Sequence, residues 1–508
     1  MVAQKSVLRC DGDKIVDGEG NRVILRGACL GAYLLQENFT NGYPGHEKAY
    51  RAAMLNAIGQ EKYDFFWTKF YEYFYDAPDA EWFASLGLNM QRLAINYRHL
   101  NDDLNPEVMK ESGFKLIDRV VEINAAAGVY TIIDLHAAPG GQNFDWHSDN
   151  NMPGALLWEF KEFQDRTVRI WEAIAARYKG NPWVAGYNLL NEPTDEAPGA
   201  HRLLAFYDRL AKAIRAVDPD HILCFDGNTF GADFRAFEAA DFKCDNAIFS
   251  CHDYSMTGKD STNTMDRLGK RGALRSLLAD LVRLRRFGFP MGTAFTGSDE
   301  DRAKVRKDYE RKVGFSKKSN SPIWNGEFGP VFATEVSEGP RWKEINDARY
   351  AALSEQIKVY AEDEIAWSIW LYKDIGIQGM IHAKPDSKWT TVFGDKIRRK
   401  RKHALEFWGT DDTETTKHFQ PVLDWITNTF PEAVPTYPPF WQLKQHLYRR
   451  TLYTWISDAM CDDFVEPMKG MSFEELDELA ASFKFENCAT RDQMVEVLRG
   501  GGAKGDKQ

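Results

Sequence analysis

Short apolar runs recur along the chain, separated by longer stretches in which apolar positions return every three or four residues. The runs are VILRGA (23–28), NMQRLAI (89–95), VYTIIDLH (129–136), VAGYNLLNE (184–192), HILCFD (221–226), AIFSCHDY (247–254), PIWNGEF (322–328) and IAWSIWL (365–371). Between the third and fourth, Phe160, Phe163, Thr167, Ile170, Trp171, Ile174 and Tyr178 share one face of a helix expected over 157–179, which Gly180-Asn181-Pro182 ends. Eight strand-like runs alternating with helical spacing predict an α/β protein whose parallel strands close into a (β/α)8 TIM barrel. A small hairpin pattern, VLRCDGDKIVDGEGN, precedes it.

Four connections are too long for minimal turns: 30–75, 137–156, 255–320 and 372–440. Each follows the C-terminal end of a strand, the barrel face that carries active sites, so these insertions are expected to wall a cleft into a pocket. We therefore expect a barrel catalytic domain over 1–440, a helical extension over 441–500 packed on it, and a disordered tail at 501–508. Within the extension Ser472-Phe-Glu-Glu475 and Thr490-Arg-Asp-Gln493 each match a capping box, and Gly500 offers a C-cap.

Composition narrows the function classes. With 508 residues, 44% hydrophobic and 27% charged, the chain can bury a large core. A formal charge of −11, spread along the chain, argues against a general affinity for nucleic acid or anionic membranes. The exception is the basic run 396–402, KIRRKRK, for which a solvated face is the plainer reading than a lipid or localisation signal. Seven scattered cysteines with no Cys-x-x-Cys pair read as free thiols. The first residues lack an apolar signal region and no stretch offers 18 apolar residues, so a cytoplasmic protein with no stable membrane insertion is expected. Fifteen Trp and twenty Tyr exceed what a core requires and suit stacking on sugars.

The strand ends carry polar residues: Arg92 in the second, Asp134 and His136 in the third, Asn191 and Glu192 in the fourth, His252 and Tyr254 in the sixth, Glu327 in the seventh, Trp370 in the eighth. Glu192 and Glu327 each end an apolar strand beside a stop, Pro193 in one case and Gly329-Pro330 in the other. Strands four and seven of a closed barrel face each other across its mouth. Converging carboxyl groups about 5–5.5 Å apart suit retaining glycoside hydrolysis, and a gap above about 6.5 Å suits inversion. No cofactor or metal is expected, because ligands at metal spacing are lacking: DLH supplies one imidazole, although His147 follows soon after.

In this order, LRGA, QRLAI, DLHAAPGGQN, NLLNEP, CHDY, WNGEFG and WSIW make the chain resemble glycoside hydrolase family 5, in the retaining clan of β/α-barrel glycosidases, over about residues 5–380. The resemblance implies an acid/base at Glu192, Asn191 on the sugar 2-hydroxyl, and a nucleophile at Glu327 held ionised by Arg92 and Tyr254. It further implies that His136 and His252 line the subsite and that Trp370 forms its floor. Trp146, Trp158 and Trp324 are candidates for sugar stacking, the first two equally for the core. Because the long connections would close one end of a groove, exo action on a small or terminal glycoside is expected, a glucoside first, with xyloside, furanosides and lipid-linked glucosides open. A transglycosidase using the same residues, and a non-catalytic carbohydrate-binding barrel, are the competing readings. Oligomeric state is not legible.

Overall fold

A computed structural model describes residues 6–152, 154–254, 295–335, 339–406, 412–432 and 443–500. Eight parallel strands close a barrel in chain order: β1 (Arg26–Leu34), β2 (Met90–Asn96), β3 (Tyr130–Ala137), β4 (Val184–Asn188), β5 (Ile222–Asp226), β6 (Ala247–His252), β7 (Ile323–Glu327) and β8 (Ala366–Ile369). Both faces of the strands are apolar, as a parallel sheet covered by helices requires. Leu93, Ile133, Leu223 and Phe249 point to the helices, whereas Met90, Ile132, Ile222, Ile248 and Trp324 plug the lower interior with Leu8 and Ile15 of the N-terminal hairpin. The interior is therefore filled below, and polar residues occupy it only toward the mouth.

β6 and β8 each end two residues before the sequence expectation, and two strands depart further. β1 starts at Arg26 because Val23 is held by the hairpin, donating to Ile15 O at 2.8 Å, and it runs on to Leu34 through Gly27 and Gly31. β4 ends at Asn188, short of Glu192, where the chain leaves the sheet.

The connection expected at 30–75 is mostly helix, Glu47–Phe74, broken at Gly59 (φ 76°). The helix expected at 157–179 spans Lys161–Tyr178 after a 3-10 turn at Leu156–Trp158. Part of the connection 255–320 lies outside the described residues, as does the tail 501–508 expected to be disordered; Asp299–Lys318 is helical. The basic run ends the helix Lys388–Lys402: Lys396 and Arg399 pair with Asp463, while Lys400 is buried, paired with Glu406 and donating to Asn38 O and Tyr43 O at 2.7 and 3.0 Å. This is structural use of charge, and Lys400 is not on a solvated face.

Helix Phe473–Ala481 carries the expected capping box, Ser472 with Glu475, and packs on Glu47–Phe74 through Phe473 against Phe65 and Asp477 accepting from Tyr73 Oη at 2.9 Å. The second expected box does not form. Thr490 ends a strand, Cys488–Thr490, that pairs antiparallel with Ile381–Ala383, and the last helix starts at Asp492. Among the described residues no helix is long and apolar enough to cross a membrane.

Candidate active site

The inward positions of the upper barrel build the site. On β2, Arg92 is fully buried and donates from Nη1 to Glu327 Oε1 (2.6 Å), from Nη2 to Asn191 Oδ1 (2.7 Å), and from Nε and Nη2 to Asn188 Oδ1 (3.0 and 2.9 Å); Asp134 Oδ2 lies 3.2 Å from Nη2. Asp134 in turn holds His136 Nδ1 at 2.7 Å, which turns Nε2 toward Glu327 Oε1, 3.9 Å away. Asp134 thus supports the barrel interior. One guanidinium orients the carboxylate at the end of β7 and the amide that follows β4.

Glu327 is aimed by a β-bulge. Cys251 pairs with Asn325 but His252 pairs with Glu327, so Gly326 is an extra residue in β7. A Cβ on Gly326 would lie 2.5 Å from Ser250 Oγ and 3.0 Å from His252 Nε2, so only glycine fits. Tyr254 donates to the other Glu327 oxygen, Oε2, at 2.7 Å. Burial pushes the Glu327 carboxyl above its ordinary range, and Arg92 and the Tyr254 hydroxyl oppose that shift.

Glu192 reaches the site differently. It sits four residues beyond the end of β4 with a left-handed backbone (φ 48°), fixed by its own N–H donating to Asp226 Oδ2 at 3.0 Å. Its Oε1 lies 2.7 Å from His252 Nδ1 and its Oε2 3.2 Å from His147 Nε2. No cation touches it among the contacts described. Burial raises its pKa well above the ordinary carboxylate value, and the charges of Glu327, Asp226, Glu37 and Asp145 raise it further. Oxygens of Glu192 and Glu327 and a nitrogen of His252 lie within 4.8 Å of one another. That spacing would admit a cation, but both Glu327 oxygens are already engaged by Arg92 and Tyr254. Burial separately holds the His252 pKa well below the usual imidazole value.

The structure therefore gathers every predicted site residue. Asn191 is buried, its Oδ1 engaged by Arg92 and its Nδ2 without a hydrogen-bond partner, leaving a donor for a ligand hydroxyl. Trp370 stacks on His136, ring centroids 5.0 Å apart and planes at 24°, and Gly31 of β1 leaves room for it, since a Cβ there would lie 2.9 Å from the indole. The other three candidate tryptophans are buried. Trp324 is fully buried in the lower plug, Trp158 donates to Gln142 O, and Trp146 packs with Phe39, Val331, Tyr448 and Tyr453.

Four contributors were not legible as site residues. Asp226 ends β5 and was read only as a strand end. Asn143 donates to Glu192 O at 3.0 Å, and His147 entered only as a possible metal ligand. Glu37 follows β1, is 5% exposed, and has one carboxylate oxygen without a partner. Burial, then the charge of Glu327, raises its pKa well above the ordinary value, while the Trp146 and Trp370 indoles beside it oppose the shift. Asn143, His147 and Glu37 lie in connections, where spacing in the sequence says little about direction, and Asp226 is the last residue of its strand.

The chain is similar to several known proteins. A model of the family described as Cellulase (glycosyl hydrolase family 5) matches residues 53–376. A β-xylosidase of Phanerodontia chrysosporium is 44% identical over 97% of this chain and 97% of its own length. Endoglucanase C of Acetivibrio thermocellus is 24% identical over 62% of this chain and 89% of its own. A crystal structure of an endogalactoceramidase overlays at a TM-score of 0.48 and 18% identity, covering 72% of this chain and 74% of that one, too distant to bear on activity.

Proposed function

Because the chain belongs to glycoside hydrolase family 5, and is thus a retaining O-glycosyl hydrolase acting on carbohydrate, we propose that it is an exo-β-glycosidase that removes terminal xylose or glucose by double displacement at Glu327 and Glu192. The observation that carries the roles is the unequal electrostatics of the two carboxyls. Glu327 has Arg92 and Tyr254 on its two oxygens, which favours the ionised nucleophile; Glu192 has neutral imidazoles and neighbouring anions, which favours the protonated acid.

The steps follow. The sugar lies over Trp370 with its 2-hydroxyl on Asn191 Nδ2. Glu327 attacks the anomeric carbon while Glu192 passes its proton to the departing glycosidic oxygen, a transfer worth about 10²–10⁴ in rate. The resulting ester at Glu327 carries no charge, so Glu192 loses the neighbour that held its proton on. As a carboxylate it then takes a proton from water, which attacks the same carbon and frees the sugar with its configuration retained.

Exo action is supported by the packing above the barrel. Phe39 after β1, Trp146 after β3, Val331 after β7, Ile377 after β8 and Tyr448, Leu452 and Tyr453 of the C-terminal region form one apolar cluster, a wall that would close one side of the mouth against a polymer. The choice of xyloside first rests on the 44% identical β-xylosidase.

Two experiments test the reading. A 2-fluoro xyloside or glucoside with a good leaving group should esterify Glu327, located by peptide mass spectrometry; a label on another residue overturns the assignment. Xylo-oligosaccharides should lose single sugars from the non-reducing end, and early internal cleavage products would exclude exo action.

A further inference from the structure

The acid/base is gripped, through one turn of chain, by a residue more than 250 positions later. Asn143 to Ser148 form a self-tied turn after β3: Asp145 N donates to Asn143 Oδ1 (2.9 Å), and Ser148 Oγ donates to Asn143 O and Asp145 O (3.0 and 2.8 Å). This turn touches Glu192 twice. Asn143 Nδ2 donates to its backbone oxygen (3.0 Å), and His147 Nε2 lies 3.2 Å from Oε2, the oxygen not taken by His252. His147 Nε2 also lies 2.7 Å from Asn143 Nδ2, so the two contacts move together.

The turn is itself held from the C-terminal region. A helix at Leu443–Tyr448 continues as a π-helical segment, Arg449–Ile456, a rare geometry that clusters at functional sites. Its first residue, Arg449, forms a fork with Asp145: Nε to Oδ1 at 2.6 Å and Nη2 to Oδ2 at 2.8 Å, with both side chains 7% exposed. The guanidinium also lies over the Phe144 ring, 5.5 Å from its centre. Tyr448, Leu452 and Tyr453 pack on Trp146, so polar and apolar contacts alike fix the turn from one side. A planar bidentate pair sets direction as well as distance, which a lysine in the same place cannot do.

We propose that Arg449 and Asp145 are positioning residues for proton transfer, and that the C-terminal segment 443–456 sets the placement of Glu192 by pressing His147 against it. The inference rests on the acid/base role of Glu192. Its consequence concerns the leaving group: an aglycone that departs unaided needs no proton, whereas a poor leaving group depends on where that proton sits.

The test uses the full chain with Arg449→Lys, Arg449→Met and the neutral pair Asp145→Asn/Arg449→Gln, the last so that no lone charge is left buried if a single variant fails to fold. Melting temperatures establish that each is folded. The readout is kcat/KM over a series of β-xylosides running from dinitrophenyl to phenyl to methyl, with Glu192→Ala measured beside them. We expect Arg449→Met and the neutral pair to lose about tenfold or more on phenyl and methyl xyloside while staying within about threefold on the dinitrophenyl substrate, with Arg449→Lys between them and the parent. An equal loss across the series, or none, overturns the proposal. If Glu192→Ala itself shows no leaving-group dependence and no rescue by azide, the acid/base assignment falls and the positioning role with it.

Discussion

At the residue scale the site is a problem of too many acids for one base. Asp134, Asp226, Glu37, Glu192 and Glu327 are drawn into the mouth around the Arg92 guanidinium, and burial disfavours every charge beyond those Arg92 balances. Neighbouring charge from Glu327 is one cause of the raised Glu192 pKa, after burial. Glu327→Gln should therefore lower the pKa at which Glu192 titrates, followed by infrared difference spectroscopy of the carboxyl band against pH; an unchanged titration would remove the Glu327 charge from the causes. The alkaline limb of kcat/KM in the parent, where Glu192 loses its proton, should accordingly lie above the ordinary carboxylate range. Glu37 gives a stability prediction. Its folded pKa is raised above the unfolded value, so its contribution is intact below about pH 4.5 and is lost as pH rises through the folded pKa. Glu37→Gln has no such loss, and the melting-temperature gain of the variant over the parent should grow between pH 5 and 8. A gain that shrinks with pH would mean that Glu37 is buried as a stabilised anion. Strand residues such as Arg92, His136 and Glu327 were readable because a barrel strand fixes the direction of alternate side chains. Glu37, Asn143 and His147 were not, because their directions are set by turns and tertiary contacts.

At the element scale the strands of the barrel were legible and their ends were not. Two-sided burial makes each strand a continuous apolar run, which shows that a strand exists and hides where pairing stops. β1 and β4 illustrate the error in opposite senses, one extended through Gly31 and the other stopped before Leu189. The bulge at Gly326 left no mark in the sequence beyond a glycine inside a strand. It nevertheless determines whether Glu327 faces the mouth, and this can be measured. Gly326→Ala puts a Cβ 2.5 Å from Ser250 Oγ and 3.0 Å from His252 Nε2, so β6 and β7 must separate or the bulge must move. We expect a loss of about 1–3 kcal/mol in urea unfolding, with kcat reduced about 10²-fold by displacement of Glu327. Stability lost with kcat intact would show that the glycine serves packing alone.

At the scale of the whole molecule, the connections hold an arrangement the sequence did not disclose: residues far apart in the chain share the same supports. Lys373, just after β8, is fully buried and reaches Asp79, Phe74 O and Phe483 O, tying the end of the first insertion to the C-terminal region. Asp458 accepts from His46 N and lies 2.9 Å from its ring Nδ1, and Arg491 donates to Gly376 O and Gly379 O, both at 3.0 Å. Such pairings join positions separated by more than 100 residues, which no local pattern encodes. They predict that the C-terminal region belongs to the same cooperative unit as the barrel. Leu476 and Leu479 are fully buried in helix Phe473–Ala481, which packs on helix Glu47–Phe74 and on helix Lys388–Lys402. Each leucine changed to alanine should cost about 2–5 kcal/mol, and urea unfolding followed by tryptophan fluorescence and by loss of activity should give one coincident transition. If activity were lost at lower urea than fluorescence, or a transition of the C-terminal region preceded that of the barrel, the two would be separate units, and the grip of Arg449 on Asp145 would open before the barrel does.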